Sequence, residues 1–165
     1  MRTVGFFLVL VAVVFSGCVT RAPQAEPYLE RMTYQKVYVD SYTGAASSAD
    51  GGAVTARGTR YQEGSVTSAS ADWSRWPVGT VFRVLTTGKV YEVDDFSEEV
   101  VGRNELLLYR PVRSNLPSAG RKYVTIEILK WGSPRTSAKI LEQSRSSTSK
   151  KILESLGSRY PASRR

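Results

Sequence analysis

The chain has 165 residues, of which 23 are Lys or Arg and 15 are Asp or Glu, for a formal charge of +8. It contains no His and one Cys, Cys18, which excludes His-based catalysis, His metal sites, intrachain disulfides and thiolate metal clusters. A hydrophobic content of 41% fits one modest globular domain with flanking segments, and the basic excess suits an anionic partner without choosing among wall polymer, lipid headgroups and nucleic acid.

Residues 1–18 read as a targeting segment. Arg2 gives a positive start, and the apolar run from Val4 to Phe15 has the length of a signal-peptide core rather than of a membrane span. Ser16-Gly17-Cys18 resembles a bacterial lipoprotein box, with Phe15 where Leu is usual. That resemblance implies lipidation of Cys18 as the first residue of the mature chain, and acyl chains at ~0.8 kcal/mol per buried methylene make a stable anchor. Val19, not Asp, follows Cys18, which resembles proteins sent to the outer membrane and facing the periplasm. An uncleaved anchor helix is the alternative. Residues 19–34, with Pro23 and Pro27, read as a tether.

From residue 35 the pattern becomes strand-like. Val37 and Val39 alternate with Tyr38 and Asp40, and a small, polar loop follows from Gly44 to Gly52. Val54 to Gly58 reads as a short strand ending in glycine, and Ser65 to Ala71 as a strand leading to Asp72. Thr80–Thr86 and Lys89–Val93 flank Thr87-Gly88, which predicts a β-hairpin. Asp94-Asp95 closes its second strand. Neighbouring side chains on a strand point to opposite faces, so one of these acids is expected to enter a site and the other to be solvated. Ser97-Glu98-Glu99 reads as a solvent-facing loop. Glu105 to Tyr109 is a strand with an apolar centre, 111–121 a polar connection, and Lys122 to Trp131 the clearest strand of the chain. About six or seven short strands with glycine turns imply a small all-β barrel, which composition does not separate from a sandwich.

The character changes in 133–165. The string Lys-Ile-Leu-Glu occurs twice, at 139–142 and 151–154, around a Ser-rich stretch. From Ala138 onward there are seven basic residues against two acidic ones. Helices this short are marginal alone, so the expectation is a basic, weakly helical tail, largely solvated, that touches anionic polymer or headgroups and is dispensable for folding.

The stretch Ser70 to Tyr109 resembles the three-aspartate (3D) domain, found in membrane-bound lytic transglycosylase A and in small cell-wall proteins. Asp72 stands five residues before Pro77-Val78-Gly79-Thr80, and Asp95 stands seven before Gly102, as in that family, which leaves Asp94 as the acid expected in solvent. The third family Asp falls in Leu106-Leu107-Leu108-Tyr109, where Leu107 occupies its place. The resemblance covers roughly Lys36 to Trp131 and implies a six-stranded double-psi β-barrel over 35–132. It further implies a peptidoglycan partner and no cofactor.

In the transglycosylases the third Asp is the acid/base, a role that a raised pKa in an apolar site supports. Leu107 cannot move a proton. The carboxylates left to a catalytic reading are Asp95 and Asp72, with Glu105 on the same strand parity as Leu107. Trp73 and Arg75 are candidates to hold glycan, since indole faces suit pyranose rings; closure of the barrel end is the other reading of Trp73, and core packing the expectation for Trp76. Two functions compete: a wall-associated module with weak or no catalysis, and an active lytic transglycosylase. Nucleic-acid binding rests on charge alone and conflicts with the export signal.

Overall fold

A computed structural model describes residues 33–43, 54–111 and 120–164. Cys18, the expected tether up to residue 32, and residues 44–53 and 112–119 lie outside the described residues.

Six strands form the body: β1 Tyr34–Tyr42, β2 Thr67–Ala71, β3 Val81–Val84, β4 Val90–Asp95, β5 Glu105–Tyr109 and β6 Lys122–Lys130. They close into a barrel in the order β1-β5-β2-β4-β3-β6, with β6 returning to β1. The pairs β1/β5 and β2/β4 are parallel, and the other four are antiparallel. Closure leaves no strand edge unpaired. Alternation decides which side chains point in. Val37 and Val39 of β1, Phe82 and Val84 of β3, and Ile126 and Ile128 of β6 are all buried in one cluster. The inward positions of β2 are the small Ala69 and Ala71, both fully buried, and the large Phe82 and Leu106 belong to the same cluster. The β3–β4 hairpin turns at Gly88, whose φ of +69° is costly for other residues. Val54 does not begin a strand; it makes one bridge to Arg60 around the turn at Gly58.

Past β6 the chain forms two regular helices, α1 Pro134–Gln143 and α2 Ser147–Arg159. Ser133 caps α1 by accepting from the Thr136 amide at 3.1 Å, and Ser146 caps α2 by accepting from the Ser149 amide at 3.0 Å. This corrects the expectation of a largely solvated tail. Ala138, Leu141, Ile152, Leu156 and Tyr160 are buried in the same core cluster as Trp73, Trp76 and Val78. The Val78 amide donates to Ser137 Oγ at 2.9 Å. A Cβ at Gly132 would lie 2.3 Å from the Pro77 and Val78 carbonyl oxygens, so the chain enters α1 by a backbone approach open to glycine alone. The two Lys-Ile-Leu-Glu strings mark the apolar stripe of each helix. Short helices are marginal in isolation, but an amphipathic face packed on a core supplies the stability that propensity lacks.

Candidate functional site

The acids cluster where β2 and β4 end. Asp72, just past β2, is 2% exposed. Its Oδ1 accepts from the Ser74 amide and its Oδ2 from the Gly102 amide, both at 2.8 Å, while its carbonyl accepts from the amides of Arg75 and Trp76. Asp72 thus pins the loop after β2 to the turn before β5. Gly102 provides that turn with φ +78°.

Asp95 is half-buried. Its Oδ1 accepts from the Ala56 amide at 2.9 Å and its Oδ2 from the Tyr61 hydroxyl at 2.6 Å. The segment 54–66 is thereby stapled over the outer face of β2 and β4. Further contacts hold it there: the Arg57 amide on the Asp94 carbonyl, the Arg57–Glu92 ion pair, the Gln62 amide on Ser68 Oγ and the Ser68 amide on the Gln62 carbonyl.

Asp94 corrects the expectation of a solvated acid. It is 4% exposed. In the parallel register Ala69 pairs with Val93 and Ser70 with Asp95, so Asp94 is an extra residue in β4. Such a bulge breaks the two-residue alternation, and both acids end up buried or half-buried beside the serines of β2. Asp94 Oδ2 accepts from Ser68 Oγ at 2.5 Å, and Oδ1 has no hydrogen-bond partner among the described residues. Burial raises its pKa from 3.8 to about 6, with the Asp95 charge adding to the effect and the Ser68 hydrogen bond opposing it.

Strand register sets the surroundings of Leu107. Asp40 of β1 pairs with Leu107 of β5, Leu107 pairs with Ser70 of β2, and Ser70 pairs with Asp95 of β4. These four form one row around the outer face. Leu107 is 6% exposed and lies outside the barrel's core cluster, since its neighbours Leu106 and Leu108 point inward. Ser70 is fully buried, and its Oγ has no partner among the described residues. In the next row Tyr42 pairs with Tyr109. The Tyr61 ring stacks on Tyr109 at 4.7 Å and meets Tyr42 edge-on at 5.8 Å. Burial, then the negative charge of Asp95, pushes the Tyr42 phenol up, so it stays protonated. The outer face thus carries Leu107, the Ser70 hydroxyl without a partner among the described residues, and a carboxylate pair under a tyrosine cluster. Sequence reasoning missed Asp94, Tyr42 and Tyr61; the adjacent acids at a strand end were the one visible signal.

Compared with known proteins, the chain matches no protein-family model and no curated sequence.

The remaining sequence-derived residues separate. Trp73 is fully buried, its Nε1 donates to the Asp95 carbonyl at 2.8 Å, and Phe96 meets its ring edge-on at 5.2 Å. It offers no ring face to a sugar and belongs to the closed end of the barrel. Trp76 is also fully buried and stacks on Trp131 at 5.8 Å. Arg75 is half-buried and donates to Asn104 Oδ1 at 2.9 Å. Glu105 does not enter the Leu107 row; its Oε1 accepts from Arg121 Nε at 3.0 Å.

The opposite end of the barrel is open. A cavity of about 860 Å³ lies at the C-terminal ends of β1 and β5 and the starts of β2, β4 and β6. Val39, Leu108 and Tyr91 line it, as do the charged Asp40, Glu63, Lys89 and Lys122. Its size is that of a small-molecule site, yet none of Asp72, Asp94 and Asp95 borders it.

Proposed function

We propose that this protein is a cell-envelope module that holds peptidoglycan glycan strands and cleaves them weakly or not at all. The observation that carries the reading is the row Asp40, Leu107, Ser70, Asp95. Where the 3D family places its acid/base, this chain presents a buried Leu, and the matched aspartates Asp72 and Asp95 already engage backbone amides or Tyr61 through both oxygens. Two parallel strand pairs in a closed six-stranded barrel support the double-psi assignment. The apolar leader ending at Cys18 supports a lipid-anchored place at the outer membrane, facing the periplasm. The charge of +8 supports an anionic polymer partner, and the reading requires no cofactor and no nucleic acid.

One observation favours a second reading, an active lytic transglycosylase. Asp94 combines a buried Oδ1, without a partner among the described residues, with a pKa raised to about 6, the state that suits an acid/base near neutral pH. Incubation with purified sacculi separates the two. The module reading expects sedimentation with sacculi and no anhydro-sugar ends in the supernatant. Release of anhydro-muropeptides that stops in Asp94→Asn establishes the second reading instead.

A further inference from the structure

With Trp73 buried, a sugar ring needs another aromatic surface, and the outer face of β1 and β6 has one. Six large apolar side chains are exposed among the described residues, and three of them, Tyr34, Tyr38 and Tyr123, share this face. Tyr34 and Tyr123 are each 58% exposed and Tyr38 is 38% exposed. Tyr38 pairs directly with Tyr123 across the strands, and their rings sit 4.8 Å apart. Tyr34 stands four residues along β1, ~13 Å away at the rise of a strand. Lys36 is exposed between the two tyrosines of β1.

A charged pair reinforces the stripe. The Arg121 guanidinium lies 3.8 Å from the Tyr38 ring centre, while its Nε donates to Glu105. Glu105 pairs with Tyr38 on the other flank of β1, so both side chains leave the same face. Glu105 is 5% exposed, and its Oε2 has no partner among the described residues. An unpartnered buried carboxylate oxygen beside exposed rings is an acceptor in search of a donor.

The geometry points to Tyr34, Tyr38 and Tyr123, with Lys36, Arg121 and Glu105, as a contact surface for a glycan strand that carries carboxylate groups. This rests on the glycan reading above and names the face it uses. Tyrosine faces pack on the C–H faces of sugar rings. Glu105 Oε2 accepts from a sugar hydroxyl or amide, and Lys36 and Arg121 meet the carboxylates. Single-stranded nucleic acid also stacks on aromatics beside cations. Here, however, Arg121 and Arg83 are already paired with Glu105 and Glu127, which suits a polymer with sparse carboxylates better than one with a phosphate at every residue.

The test uses the full-length protein, a soluble β-1,4-linked N-acetylglucosamine hexamer and purified sacculi as probes. The double variant Tyr34→Ala/Tyr123→Ala removes two exposed rings, and an unchanged melting temperature confirms its fold. Val54→Ala, at an exposed apolar position outside this surface, serves as control. The proposal expects the double variant to bind sacculi and hexamer about tenfold more weakly or worse, the equivalent of ~1.4 kcal/mol, with Val54→Ala close to the unaltered protein. Unchanged affinity in the double variant overturns this surface while leaving the glycan reading intact. Failure of the unaltered protein to bind sacculi overturns both. Displacement from sacculi by oligothymidylate at low concentration assigns the stripe to nucleic acid and overturns it as a glycan surface.

Discussion

Asp94→Asn should make this protein more stable at neutral pH. Asp94 titrates at about 6 in the folded state against 3.8 as a free side chain. Between those values the folded protein holds a proton that the unfolded chain has released. Stability therefore falls as pH rises through that window and stays reduced above it. A separation of about two pH units at ~1.4 kcal/mol each gives a penalty of about 3 kcal/mol at pH 7. Asn is nearly isosteric and uncharged, and its amide oxygen can keep the hydrogen bond from Ser68 Oγ. The assay is urea unfolding of the parent and variant at half-unit steps from pH 4 to pH 8. The two should be nearly equal at pH 4, diverge through pH 5 and 6, and reach a plateau of about 3 kcal/mol in favour of Asn. A difference that does not vary with pH, or a less stable variant at pH 7, refutes the assignment of a buried, charge-penalised carboxylate.

Three further variants test the framework around it. Asp72→Ala should cost about 2–4 kcal/mol in urea unfolding, because the Ser74 and Gly102 amides lose a charged acceptor; a cost below about 0.5 kcal/mol would remove Asp72 as the pin between the two loops. Leu156→Ala, at a fully buried position on α2, should cost about 2–5 kcal/mol. Melting unchanged by that substitution would mean the helices are independent of the barrel core. Leu107→Asp should lower the melting temperature, since it buries a carboxyl in a row that already holds Asp95. The same variant assayed on sacculi shows whether a carboxyl at this position supports cleavage, and a melting temperature equal to that of the parent would place residue 107 in solvent.

Every barrel strand was legible in the sequence. Val37 and Val39, Phe82 and Val84, and Ile126 and Ile128 announce their inward faces by alternation, and Thr87-Gly88 announces its hairpin. What alternation could not show was its own interruption. The bulge at Asp94 arises from pairing with β2, a long-range property, and it turns a residue expected in water into a buried acid. Trp73 was ambiguous for a related reason. An indole next to a strand end packs inward or stacks on a ligand depending on what else closes that end, and here Phe96 meets its edge and it joins one core cluster with Leu141, Ile152 and Leu156, at the far end of the chain. The helices themselves had visible caps at Ser133 and Ser146, but high basic charge and serine content masked an apolar stripe that gains its stability from the barrel. Tyr61, which ties segment 54–66 to Asp95, carried no signal at all, because a lone tyrosine in a loop has no periodicity to read.

The central claim, a glycan-holding barrel without a working acid at position 107, meets its most direct test in one incubation. The unaltered protein is mixed with purified sacculi, the pellet is assayed for protein, and the soluble fraction is analysed by mass spectrometry for anhydro-muropeptides. The account predicts protein in the pellet and anhydro ends no more abundant than in sacculi alone. Anhydro ends accumulating with time and enzyme concentration at an enzyme-like turnover, or protein left wholly in solution, would contradict it.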